Sequence, residues 1–248
     1  MPISDLLAIT VALPHEAKAI LPFFTIKAIT RYQKAKIFEG ALGTHPCILL
    51  QTGMGSSAAE QGTAYLLEHF PVSRLLVTGY CGALVAGIKT GDGILAEEIL
   101  LEKNGERLGA SETWHQEIFQ KLLSQNVSLH RGNLLQVEKP VLEPEAKKTL
   151  GEKFQAIGVD MESFSVLKTA QGRQNIASLA LRFVVDPVDI DLADTTAFVD
   201  STGHFQPVPF LKEVVRRPRI FLQLPGLERM ASQARRQLAK SIEVIFDL

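Results

Sequence analysis

Short runs rich in Val, Ile and Leu alternate along this chain with segments of helical pattern, which restricts it to an α/β architecture whose sheet is covered on both faces. The first run, Leu6 to Leu13, enters a helix at Pro14-His15-Glu16-Ala17, where proline suits the first turn. Strand signals follow at Ala35 to Ala41 and Pro46 to Thr52, and Gly53-Met54-Gly55-Ser56-Ser57-Ala58 then opens a helix ending near His69. Leu75 to Thr78 reads as a buried strand ending in Gly79-Tyr80-Cys81-Gly82. Gly91-Asp92-Gly93 reads as a turn into a strand over Ile94 to Ala96. A helix is expected over Glu112 to Gln125, strands over Ala156 to Val159 and Ile176 to Val185, and a helix over Ser163 to Gln171 between those strands. The pattern predicts a three-layer α/β/α sandwich around a central mixed sheet.

No linker, low-complexity run or internal repeat divides the 248 residues, so a single domain over 1–248 is expected, with residues 187–248 as a C-terminal helical extension. A net charge of −1 lacks the basic excess that grips phosphates and argues against a nucleic-acid partner. A small-molecule ligand fits better. Two cysteines, Cys47 and Cys81, are too few for a disulfide framework or a cysteine-based zinc site, so no metal is expected. Met1 to Leu13 has no basic segment of the secretory type, and no apolar run reaches the roughly 18 residues that span a bilayer. The expected location is the cytoplasm.

Ligands of open α/β sheets bind outside the carboxyl ends of strands, which directs attention to the polar residues there. Gly53-x-Gly55-x-x-Ala58 follows a strand and precedes a helix, as an anion-cradling turn would, although a tight connecting turn has the same signature. Val77-Thr78-Gly79 stands where a dinucleotide fold would carry an acid, so no nicotinamide cofactor is expected. Asp160 and Glu162 flank Met161 at a strand-to-helix junction among apolar neighbours, where burial raises a carboxyl pKa. Asp160 reads equally as a cap of the following helix; a cap needs one acceptor, which leaves Glu162 without that explanation. Asp186 ends a strand four residues after Arg182, and strict alternation would point both to one face, as a structural ion pair or a functional one. Glu16, in a first helical turn, reads as a surface residue or a catalytic one.

Taken in order, these segments resemble the purine nucleoside phosphorylase and methylthioadenosine/S-adenosylhomocysteine nucleosidase superfamily. The motifs are Ala12-Leu13-Pro14-His15-Glu16, Thr52-Gly53-Met54-Gly55, Thr78-Gly79-Tyr80-Cys81-Gly82-Ala83 with Thr90-Gly91-Asp92, Val159-Asp160-Met161-Glu162-Ser163, and Arg182 with Asp186. The resemblance implies cleavage of the N-ribosidic bond of an adenine nucleoside. It places Asp186 as the acid that protonates the leaving purine, Glu16 as the activator of water, and Glu162 with Met161 on the ribose. Gly53, Gly55, Tyr80 and Arg182 would form the nucleophile or anion pocket, and Val141 with Gly82 the base pocket. An oxocarbenium-like transition state makes this set sensible, since it needs a protonated leaving group and contacts that tighten on the sugar. A homo-oligomer is also implied.

Departures qualify what is implied. Phosphorylases of the superfamily place an Arg and a Ser where Val77 and Tyr80 stand, which favours water, whereas Arg182 and the Gly53 loop keep phosphate open as a co-substrate. Val137 to Val141 has no aromatic where adenine-specific nucleosidases stack one. The 62 residues after Asp186 resemble the hopanoid-associated phosphorylase branch through Asp186-Pro187-Val188-Asp189-Ile190-Asp191-Leu192 and Arg216-Arg217-Pro218-Arg219. That branch implies adenosylhopane, a lipid-linked nucleoside. Methylthioadenosine/S-adenosylhomocysteine hydrolysis and general purine nucleoside phosphorolysis are the alternatives, with a non-catalytic nucleoside-binding module as the rival of another class. From Phe205 to Leu248 there are 8 Lys/Arg against 4 Asp/Glu, interspersed with Phe210, Leu211, Val214, Val215, Ile220, Phe221 and Leu222. Such a segment reads as a lid, as a peripheral contact with the inner membrane face, or as helices half-buried on the sheet.

Overall fold

The computed structural model describes residues 6–173, 176–190 and 219–248. Strand β1 (Leu6–Val11) leads into helix α1 (Pro14–Ile20), and a 3-10 turn (Leu21–Phe23) then starts the antiparallel run β2 (Phe24–Tyr32), β3 (Ala35–Leu42) and β4 (His45–Gln51). Next come α2 (Ser56–His69), β5 (Val72–Ala83), β6 (Gly93–Leu101), β7 (Arg107–Gly109), α3 (Glu112–Ser124) and β8 (Leu129–Gln136). The described chain closes with α4 (Pro144–Phe154), β9 (Ala156–Asp160), α5 (Ser163–Gln171), β10 (Ala177–Asp186) and α6 (Arg219–Phe246).

One mixed sheet in the order β10-β6-β8-β9-β5-β1-β4-β3-β2 holds all of these strands, with β7 paired to β6. A further pairing of β10 with β5 closes β5, β10, β6, β8 and β9 into a ring. Alternate residues feed opposite faces, as the pleat requires. Leu7, Ile9, Val11, Leu179, Leu181 and Phe183 pack with α1, α3 and α6, while Ala8, Leu75, Val77, Ala180 and Val184 pack with α2 and α5. Both faces are therefore covered, which is the three-layer mixed α/β arrangement that the apolar runs predict.

The predicted strand over Leu75 to Thr78 is too short. β5 runs through Gly79-Tyr80-Cys81-Gly82 because those residues pair with β10 and, at Gly82 and Ala83, with β9. β6 likewise extends to Leu101, paired with β8. The expected pairing of Arg182 with Asp186 fails for a local reason. Val184 and Asp186 stand opposite Cys81 and Gly82, so β10 carries an extra residue, and this bulge breaks the alternation that would align the two side chains.

In the tail, Ala234, Leu238, Ile242 and Ile245 of α6 are buried against the core at α1, α3 and β10. Here the chain is a helix with one side buried on the core. Phe210, Leu211, Val214, Val215, Arg216-Arg217-Pro218 and Asp191-Leu192 lie outside the described residues, as do the side chains of Ile220, Phe221 and Leu222. Among the described residues, no helix is long and apolar enough to cross a membrane.

Candidate active site

A cavity of about 230 Å³ opens where β1, β5, β9 and β10 end, lined by Glu16, Tyr80, Gly82, Met161, Glu162 and Asp186, with Val141 on its wall. The topology thus gathers residues of five of the sequence segments singled out above into one site, Met54 representing the glycine loop.

Glu16 reaches the cavity from the first turn of α1. Leu13, at the helix N-cap, has no side-chain acceptor, so the Glu16 carboxylate turns back to take the exposed amides. Its Oε2 accepts from Ala12 N at 2.8 Å and Leu13 N at 2.7 Å, and its Oε1 accepts from Tyr80 N at 2.7 Å. Only 2% of the residue is exposed, which excludes the surface reading. Burial raises its pKa, opposed by the Arg182 guanidinium and the three amides. A carboxylate offers about four acceptor positions. Three are taken, and the remaining one is on Oε1. Gly79, at φ +132°, permits this approach, since a Cβ there would lie 2.4 Å from Glu16 Oε1 and 2.7 Å from Arg182 Nη1.

Asp160 and Glu162 divide their work. Asp160 Oδ1 accepts from the backbone of Glu162 and Ser163, while Oδ2 accepts from the Ser163 hydroxyl and pairs with Arg182 Nε at 2.8 Å. It organises the start of α5 and anchors the arginine. Glu162 Oε1 accepts from Gly55 N at 2.8 Å, and Oε2 lies 3.7 Å from Arg182 Nη2. Burial pushes its pKa to about 7, with Arg182 opposing and Asp160 reinforcing the shift. Unlike Glu16, it keeps acceptor positions on both oxygens for a ligand.

Arg182 and the glycine loop are placed differently from the anion pocket drawn above. Arg182 is 1% exposed and does not line the cavity; beyond its carboxylates it donates to Ser163 Oγ at 2.9 Å and Thr78 O at 3.1 Å. The Gly55 amide is held by Glu162, and neither Gly53 nor Gly55 lines the cavity. Asp186 closes the opposite side. Its Oδ2 pairs with Lys147 Nζ of α4 at 2.6 Å, and burial raises its pKa while Lys147 opposes the rise. Lys147 does not figure among the residues expected from the sequence. Its signal was Pro144-Glu145 opening a helix, but a lysine in a polar helix reads as a solvated face. Among the described residues, no group of three or more His, Cys, Asp or Glu could hold a metal ion.

Glu162 sets a pH dependence whose sign follows from its raised pKa. Between about 4.5 and about 7 the folded protein keeps a proton that the unfolded chain has released, so stability falls as pH rises through that window. Replacing Glu162 with Gln is expected to remove this cost and raise the melting temperature at pH 8 by about 2–4 °C. Thermal melts at pH 5 and pH 8 check it, and a lower melting temperature at pH 8 would show that the charge stabilises the fold.

Comparison with known proteins places the chain in a family. A 5′-methylthioadenosine/S-adenosylhomocysteine nucleosidase of Glaesserella parasuis is 32% identical over 88 residues, a stretch spanning 36% of this chain and 38% of that protein. The crystal structure of the Helicobacter pylori nucleosidase of the same name shares the fold with a TM-score of 0.76 at 17% identity, covering 98% of both chains. The futalosine hydrolase of Helicobacter pylori has the same TM-score and identity over 98% of this chain and 97% of its own. The profile of the phosphorylase superfamily matches residues 6–207, continuously from β1 past the end of β10, and the chain belongs to that superfamily.

Proposed function

We propose that the protein hydrolyses the N-ribosidic bond of an adenine nucleoside, with nucleosides of the methylthioadenosine and S-adenosylhomocysteine type as substrates. The observation that carries this reading is the set of three carboxylates on one small cavity, Glu16 and Glu162 buried and Asp186 partly so, each held by different partners. Asp186 faces the base pocket of Gly82 and Val141 and protonates the departing purine. Glu162, with acceptor positions free on both oxygens, takes the ribose hydroxyls beside Met161. Glu16 uses its last acceptor position to orient and deprotonate water. No step calls for a metal or nicotinamide.

Water rather than phosphate is favoured by the same contacts. The donors of Arg182 and the Gly55 amide already serve protein carboxylates, and Glu16, Asp160, Glu162 and Asp186 outnumber Arg182 and Lys147. Such a site attracts developing positive charge and repels an anion. The nucleosidase names of the sequence relatives support the substrate class. A second reading, adenosylhopane, draws on the Asp186-to-Leu192 resemblance and on an open groove of about 950 Å³ that shares Val137, Pro140, Val141 and Leu142 with the cavity.

The test is release of free adenine from methylthioadenosine, S-adenosylhomocysteine, adenosine and adenosylhopane in phosphate-free buffer. Methylthioadenosine and S-adenosylhomocysteine are expected to react fastest; a faster reaction of adenosylhopane selects the second reading. Tight binding with no release from any of the four would leave a nucleoside-binding module instead.

A further inference from the structure

The Asp186 contact with Lys147 bears directly on how an acid at this position obtains its proton. Lys147 is fully buried in α4, and its ammonium is surrounded by acceptors: Asp186 Oδ2 at 2.6 Å, Pro187 O at 3.3 Å and Ile190 O at 3.5 Å. An aspartate in such contact with an ammonium rests as the carboxylate, which holds no proton to give. Asp186 has 14% of its side chain exposed, and that exposure faces the cavity that a nucleoside would fill. Once the cavity is filled, solvent no longer reaches the carboxylate. The ammonium remains in contact with it.

We propose that Lys147 is the proton source behind Asp186, a positioning residue that acts on the leaving base through the aspartate. This inference rests on the N-ribosidic cleavage proposed above. As the C1′–N bond breaks, its electron pair passes to the purine, Lys147 Nζ passes its proton to the Asp186 carboxylate, and Asp186 delivers that proton to the purine. Water adds to C1′ and leaves its proton on Glu16; when the products depart, Glu16 releases that proton to solvent and the Lys147 amine takes one up. The net change is nucleoside plus water to base plus ribose.

Other charged and titratable groups around Asp186 are placed differently. Cys81 faces it from β5, and Glu16 and Glu162 line the same cavity from α1 and from the β9–α5 junction. Asp160 also lines the cavity and is bound by Arg182, which does not line it. Of these groups, Lys147 is the one in ion-pair contact with Asp186. It is also sheltered, so its removal leaves Asp186 to draw protons from solvent before substrate enters.

Lys147→Met and Lys147→Arg separate this role from a merely structural one. With an adenine nucleoside at pH 8, Lys147→Met is expected to lower kcat roughly 10²-fold with nucleoside affinity little changed. Its deficit against wild type should shrink by about tenfold per pH unit on acidification, because Asp186 then takes its proton from solvent. With 4-nitrophenyl riboside, whose phenolate leaves unprotonated, the same variant is expected within about threefold of wild type. Lys147→Arg retains the positive charge but cannot release a proton, and it is expected to bind nucleoside and fail to cleave it.

Wild-type rates in Lys147→Arg, or in Lys147→Met an equal loss on both substrates with a deficit that does not change with pH, would overturn the inference. Base release by wild type with no change in either variant removes this inference alone. No base release by wild type removes the proposed function and the inference with it.

Discussion

Asp186→Asn is expected to lower adenine release by about 10²–10⁴-fold while nucleoside affinity stays within about tenfold, roughly 1.4 kcal/mol. An amide has the shape of the carboxyl group and can still donate a hydrogen bond to the purine, but it cannot deliver an acidic proton. The substitution also removes the counter-charge of Lys147, whose Nζ would keep only the carbonyls of Pro187 and Ile190. Breaking a buried pair by removing one partner typically costs about 3–5 kcal/mol, so the variant is expected to melt earlier than wild type. Combining it with Lys147→Met should restore part of that loss without restoring activity. Turnover, binding and melting temperature together check the assignment. Unaltered turnover in Asp186→Asn would remove Asp186 as the acid.

Glu16→Gln carries a comparable expected effect, a loss of about 10²–10⁴-fold, for a different reason. The carboxylate accepts from Ala12, Leu13 and Tyr80 amides, and a Gln side chain has one oxygen with which to do so. Its NH₂ group must face either the Ala12 and Leu13 amides or the Tyr80 amide. At least one buried donor is then left unpaired, at about 1–3 kcal/mol. Activity and stability should therefore fall together here, whereas Glu162→Gln should trade lower nucleoside affinity for higher stability at neutral pH. Stable, active Glu16→Gln would contradict the place given to its last acceptor position.

Much of this arrangement is legible from residue order. The continuous apolar runs of β1 and β10 and the Ser163–Gln171 helix follow from apolar patterning, and the mixed α/β layers follow from them. Asp160-Met161-Glu162 is readable as a functional junction because two carboxylates there exceed what one helix start requires. Its division into an anchor, Asp160, and a free acceptor, Glu162, needs the position of Arg182, which comes from a different strand.

Three features escape local reading for distinct physical reasons. The bulge before Asp186 is a property of two paired strands and leaves no mark in β10 alone, so strict alternation gives Asp186 the wrong partner. β8 mixes His130, Arg131 and Asn133 with Leu134 and Leu135, which hides its strand period. Lys147 is buried through a contact 39 positions away in the chain, and nothing in Pro144 to Phe154 indicates that one of its lysines points inward. Glu16 escapes in a milder way. Its pattern fixes it at the helix start, and the approach of Gly79-Tyr80 from β5 then buries it.

The central claim is that water, held by Glu16, replaces the base at C1′ of an adenine nucleoside. Turnover in ¹⁸O-labelled water, with phosphate also present, tests it in one measurement on the sugar product. The account predicts free sugar carrying the label at C1, in amounts equal to the adenine released. Ribose 1-phosphate product, or intact nucleoside after prolonged incubation, would contradict it.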